Sequence, residues 1–199
     1  MNSFDDLSEP LDRRLAAGLA RLAAVARQLD WQAAEAFGLS PTQADILRLL
    51  TRRPEGVRLA VAAAHAGVRS ATASDAVGAL ERKELVRKEA DPGDGRAVVL
   101  KATPAGQTLA GQWPASFEPA VAGLDEGQQA TLLRLVVEMI RHLLAQRLIA
   151  PQRTCVSCRF FRENVRPGEA EPHACALVGM NMADRHLRVD CPEHEPVAA

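Results

Sequence analysis

The chain has 199 residues, enough for one good core with a small appendage or for two small domains. With 47% hydrophobic and 25% charged residues and a formal net charge of −1, it is an ordinary soluble composition without the global charge of a nucleic-acid binder. Tyrosine is absent, aromatics are only 4% and alanine is abundant, which favours helix over sheet, and no stretch approaches the roughly 20 apolar residues of a membrane span.

The N-terminal stretch MNSFDDLSEP is acidic and lacks a signal peptide's hydrophobic region. The expected location is therefore cytoplasmic, where clustered cysteines more often hold metal than form disulfides. Charge is unevenly distributed. Residues 40–110 hold 11 Lys/Arg against 8 Asp/Glu, whereas residues 1–39 hold 4 against 6. The positive bias sits in the middle of the chain, and taken alone it equally describes a solvated face.

Leu11, Leu15, Leu19, Leu22, Val25 and Leu29 recur at helical spacing and predict one long helix over about residues 8–36. A second helix starts in LSPTQADILRLL, where Ser40 suits the N-cap and Pro41 the first turn, with Ile46, Leu49 and Leu50 facing inward. Pro54 and Gly56 end it. A short extended piece around Val57–Leu59 leads to a brief Ala-rich helix that runs to about His65 and is closed by Gly67. RSATASDAVGALERKEL opens the next helix, with Ser70 as its expected cap and Val77 and Leu80 inward. LVRKEA and RAVVLKA alternate apolar and charged residues on either side of the turn-rich DPGDG, which predicts a hairpin. Thr103 and Pro104 begin a fifth helix carrying Leu109 and Trp113, broken by Pro114. Residues 125–148 form a last long helix. Its apolar residues Leu132, Leu133, Val136, Val137, Ile140, Leu143 and Leu144 make a stripe wider than one neighbour needs.

Helix, short strand, helix, helix, strand, turn, strand is the order of a winged helix-turn-helix, which lays one helix in the DNA major groove while the hairpin reaches sideways. SATASDAVGALERKELVRK and DPGDGRAVVLKATPAG resemble the MarR family of bacterial transcriptional regulators. The family's wing carries Asp-x-Arg followed by a Leu-Thr-x-x-Gly run, represented here by Asp94, Arg96 and the stretch from Ala102 to Gly106, with Ala102 in the usual leucine place. The resemblance covers about residues 8–148. It implies a mainly α fold with a small β-hairpin wing, flanked by long dimerisation helices. It further implies a homodimer binding double-stranded DNA at a roughly palindromic operator, and a small aromatic or acidic molecule as effector. Carried over residue by residue, it assigns Arg96 to the minor groove or backbone, Asp94 to holding Arg96, and Ser70, Thr72 and Ser74 to the exposed start of the recognition helix, preceded by Arg69. Asp75 departs from the family, where a basic residue is frequent, and could pair with Arg69 or Arg82. Set against these roles, Ser70 and Thr72 could serve only as caps, and Arg96 could be a turn residue satisfied by Asp94.

Every cysteine lies in the last 45 residues, as Cys155-x2-Cys158-x16-Cys175-x15-Cys191. Four soft thiolates fit a 4Fe–4S cluster or a tetrahedral zinc. Zinc ribbons pair their second two cysteines as another C-x2-C, and this chain does not. CVSCRFF and CALVGMNMADRHLRVDC resemble the cluster-binding segments of high-potential iron proteins. His173 and His194 flank cysteines, either as ligands or as hydrogen-bonding supports. The expected organisation is a DNA-binding and dimerisation domain over residues 1–150 and a four-cysteine metal module over 151–199, which either modulates DNA binding through oxidation, nitric oxide or cluster loss, or merely staples the tail. Neither H-x-E with P-C-x-x-C, a Gly-rich phosphate loop, a serine nucleophile elbow nor H-E-x-x-H occurs, so no enzyme is expected. An iron–sulfur electron carrier using the helices as a dimer scaffold is the alternative.

Overall fold

A computed structural model of the chain describes residues 8–91, 93–113 and 116–197. They form two compact units, Met1–Glu118 and Pro119–Ala199. The acidic segment through Leu7, the turn residue Pro92 and the helix-breaking Pro114 lie outside the described residues.

The first unit holds α1 (Leu11–Ala36), α2 (Pro41–Thr51), α3 (Leu59–His65), α4 (Ser70–Arg82), β1 (Val86–Asp91), β2 (Asp94–Ala102) and α5 (Pro104–Gly111). Ser40 caps α2 as expected. Its hydroxyl accepts from the Gln43 amide, and the Gln43 side chain accepts from the Ser40 amide, while Pro41 fills the first turn. Ile46, Leu47 and Leu50 of α2 are fully buried with Val77 and Leu80 of α4 and Leu100 of β2. This core stays within residues 34–113. Gly67, at φ +63°, turns the chain from α3 into α4.

The hairpin is antiparallel, pairing Val86 with Ala102 and Ala90 with Val98, and its register slips next to Asp91. Such a bulge increases local twist at the wing tip. Of the extended piece expected at 57–59, only Val57 pairs, in an isolated bridge to Leu100. The hairpin is closed at its base by Thr103, whose hydroxyl donates to the Glu84 carbonyl and accepts from the Gly106 amide as the cap of α5. Helix α5 stops at Gly111, so Trp113 lies beyond it, buried against Phe37 with ring centroids 5.4 Å apart.

A single turn, α6 (Glu118–Val121), precedes α7 (Glu126–Ala145), which Asp125 and Gln128 cap reciprocally. A sheet of β3 (Phe161–Arg162), β4 (His173–Cys175) and β5 (Met180–Met182) follows, flanked by short 3-10 turns at Cys155–Ser157 and Asp184–His186. Helix α7 shares the second unit with the cysteines. The reason is its apolar side, where Val137 is fully buried with Cys155, Met182 and Leu187, and Leu133 joins them. Two residues of the overly wide stripe, Leu133 and Val137, are thus covered by the chain itself.

Candidate nucleic-acid interface and cysteine centre

Helix α4 is two-sided. Ala73, Ala76, Val77 and Leu80 are buried, while Arg69, Ser70, Thr72, Ser74 and Asp75 are exposed. The expected cap is corrected here: Arg69 occupies the N-cap position, Ser70 is the first helical residue, and no side chain caps the helix. Ser70 begins helical geometry one residue too late for its oxygen to reach the free amides of the first turn. Ser70 is exposed in the first turn, whose free amides attract phosphate. Among the described residues Asp75 pairs with neither Arg69 nor Arg82 and simply adds negative charge to this face.

Asp94 holds Arg96 through the main chain rather than through its guanidinium. Its Oδ1 accepts from the Arg96 amide at 3.2 Å, and its Oδ2 lies 3.3 Å from Arg58. The Arg96 side chain is exposed and makes no ion pair among the described residues. Arg58 went unnoticed in the sequence. From the N-cap position of α3 its Nε and guanidinium nitrogen donate to Asp91 at 2.9 and 2.7 Å, so one side chain joins the helix-turn-helix to both strands of the wing. The Gly93 amide and Arg58 together hold the Asp91 carboxyl below its ordinary range. Only the fold reveals this clamp, because 33 residues separate its partners.

Asp30 of α1, Arg48 and Thr51 of α2, Trp113 and Ser116 line a second feature of the first unit, a cavity of about 260 Å³. Arg48 pairs with Asp30 and lies 4.7 Å above the Trp113 ring. Among the described residues the buried indole Nε1–H has no hydrogen-bond partner.

In the second unit Cys155, Cys158, Cys175 and Cys191 all line one cavity of about 740 Å³, with Phe160, Phe161, Leu177 and Met182 among its walls. The C-x2-C segment is a tight turn in which the Cys158 amide donates to the Cys155 carbonyl. Strand pairing places Cys175 opposite Phe161 and Met180. The Cys191 amide donates to Arg153, and the Cys155 amide to Arg188. Arg188 returns its own amide to Cys155 Sγ at 3.2 Å and points its guanidinium at Cys191 Sγ, 3.6 Å away. Burial raises the pKa of the Cys155 thiol. Among the described residues no three His, Cys, Asp or Glu side chains gather tightly enough to hold a single ion. Both flanking histidines are engaged. His173 accepts from the Asn164 amide and reaches Asp184 at 3.0 Å, and His194 meets Ser157 at 3.0 Å. Neither histidine is among the residues that line the cavity.

Residues 37–97 match the sequence model of the MarR family. Among solved structures, a MarR-family transcriptional regulator from Silicibacter pomeroyi superposes with a TM-score of 0.58 at 23% identity, covering 67% of this chain and 92% of its own. CouR from Rhodococcus jostii RHA1 superposes at 0.56 with 24% identity, covering 68% and 95%. A probable transcriptional regulator from Pseudomonas aeruginosa superposes at 0.50 with 25% identity, covering 65% and 99%. No curated protein sequence matches the chain. The chain therefore has the MarR-type transcriptional-regulator fold, with the winged helix-turn-helix at residues 37–97 as the part that the family's own model recognises.

Proposed function

We propose that the protein is a non-enzymatic, DNA-binding transcriptional regulator of the MarR type that grips a roughly palindromic operator as a homodimer. The observation that carries this reading is the two-sided α4 beside the clamped wing: both rest on buried apolar residues and present Arg69, Ser70, Thr72, Ser74 and Arg96 outward. Hydroxyls at a helix start suit phosphates and base edges, and an exposed guanidinium suits a narrow groove. Exposed leucines along α1, from Leu11 to Leu29, supply a face for a second copy. The test is selection of a binding sequence from a random duplex pool, followed by titration at several salt concentrations. Binding that weakens steeply with salt, and that Arg96→Ala weakens by one to two orders of magnitude, supports the proposal; a pool that enriches nothing overturns it.

The cysteine module, residues 151–199 in this functional division, is read as the seat of a 4Fe–4S cluster. A single zinc, the alternative, draws four sulfurs to about 2.3 Å from one point, whereas these thiols surround a wide, largely apolar space. An amide donating to a sulfur, as Arg188 does to Cys155, is the contact that tunes such clusters. Air-free purification with an absorption spectrum and metal analysis tests this: iron and sulfide near four per chain supports it, and stoichiometric zinc overturns it. A brown protein without DNA affinity would favour the electron carrier instead.

The buried, unpartnered indole of Trp113 supports a small effector with a hydrogen-bond acceptor in the 260 Å³ cavity. CouR, which shares the fold, is described bound to p-coumaroyl-CoA. Quenching of Trp113 fluorescence by small aromatic acids, lost in Arg48→Ala, tests it.

A further inference from the structure

Helix α7 carries two apolar stripes, and they have different fates. Leu133 and Val137 turn into the cysteine module. Leu132, Leu135, Val136 and Met139, at i, i+3, i+4 and i+7, are 36–46% exposed. A helix with two apolar stripes needs two coverings. One is the module. For the other we infer a second copy of this chain, and we propose that loading of the cysteine cage decides whether α7 is held in the form that the second copy accepts. This inference rests on the dimeric reading above and adds to it the control of the dimer face.

The coupling is direct, because cage and helix share one core. Val137, without any exposed surface, packs in the same cluster as Cys155 and Cys175, so two of the four sulfur donors belong to the wall that the helix leans on. Two polar straps lie alongside. Arg141 grips Glu163 through both terminal guanidinium nitrogens at 2.8 and 2.6 Å. Arg134 lies 3.6 Å from Asp184, whose other oxygen meets His173, two residues before Cys175. A displacement of β4 or of the C-x2-C turn is thus passed to the helix by packing and by charge.

The module's regular secondary structure is slight. Its strands are two or three residues long and surround about 740 Å³ of space. That space is mostly apolar and half open to solvent, and a group bound by the four thiols would tie the short strands and the C-x2-C turn together, whereas without it they rearrange. Rearrangement strips Leu133 and Val137 of their cover. The helix then has apolar residues on both sides, and its exposed stripe loses its fixed orientation.

The experiment uses the full-length protein, prepared without air and either reconstituted with ferrous iron and sulfide or stripped with a chelator. Sedimentation velocity measures dimer dissociation, and amide hydrogen exchange follows residues 132–144. Loaded protein is expected to dimerise at least tenfold more tightly than stripped protein, with slower exchange along α7. Val137→Ala, which leaves all four cysteines in place, is expected to retain iron yet lose most of that difference. Should it fail to fold, Asp184→Asn, which cuts the Arg134 and His173 straps, serves the same purpose. A dimer of equal strength and equal exchange in both states overturns the coupling while leaving the dimeric reading intact. A monomer in both states overturns the dimeric reading, and the coupling with it.

Discussion

At the scale of single residues, Gly106 shows how close packing selects an amino acid. A Cβ placed there would stand 2.2 Å from the Leu85 carbonyl oxygen, a backbone atom that cannot swing aside. Gly106→Ala is therefore expected to cost at least about 2 kcal/mol, read as a lowered midpoint in urea unfolding of the first unit. Arg58 makes the opposite kind of case. It is solvent-facing, and its removal leaves the urea midpoint nearly unchanged, because exposed ion pairs contribute little to stability. Its contribution is to placement. Arg58→Ala is expected to weaken operator binding about tenfold by freeing the wing, as measured by anisotropy titration. The Asp91 carboxyl gives an independent readout. Its folded pKa is lowered, first by the Gly93 amide and then by Arg58. The stability it adds is therefore present above the unfolded value near 3.9 and lost as pH falls through the lower folded value. Nuclear magnetic resonance titration of Asp91 should show a midpoint below the ordinary aspartate range, moved part of the way back by Arg58→Ala, since the Gly93 amide remains.

Helix ends separate stability from recognition at the scale of elements. Ser40 and Ser70 each stand at the start of a helix in similar sequence surroundings, yet only Ser40 makes a capping box. Ser40→Ala is expected to lower stability by about 1 kcal/mol and leave DNA affinity alone. Ser70→Ala is expected to do the reverse, with an unchanged unfolding midpoint and several-fold weaker binding. Equal effects of the two substitutions on the urea midpoint would place Ser70 among the caps after all. The Ser40 cap, Pro41, the inward Ile46, Leu49 and Leu50, and the alternation of the hairpin strands were all legible, because each follows from local periodicity or turn chemistry. Ser70's position was not. A serine before an apolar run satisfies the capping pattern equally well one residue earlier or later, and only the packing of Ala73, Val77 and Leu80 sets the phase.

Taken whole, the chain carries two cores that share no residue, one within residues 34–113 and one built on Val137, Cys155, Met182 and Leu187. Replacing all four cysteines with serine should consequently split unfolding into two events. The first unit should keep its urea midpoint, and the second should lose protected amides at much lower denaturant, as hydrogen exchange by segment would show. The same separation lets a winged helix-turn-helix and a cysteine-rich segment of different chemistry share one chain. No described helix is long and apolar enough to cross a membrane.

By itself the amino-acid order determined the helices, the hairpin, the Asp94–Arg96 wing and the confinement of four cysteines to one segment, because periodicity, turn residues and spacing act over a few residues. Tertiary structure alone decided that Arg58 clamps the wing, that Asp94 holds Arg96 by its amide, that the four thiols face one cavity, and that α7 spends one of its apolar stripes on them. Apart from the short Asp94–Arg96 contact, those facts join residues far apart in sequence, 33 positions for Arg58 and Asp91, and a linear pattern carries no information about which of many compatible partners a folded chain brings within a few ångströms.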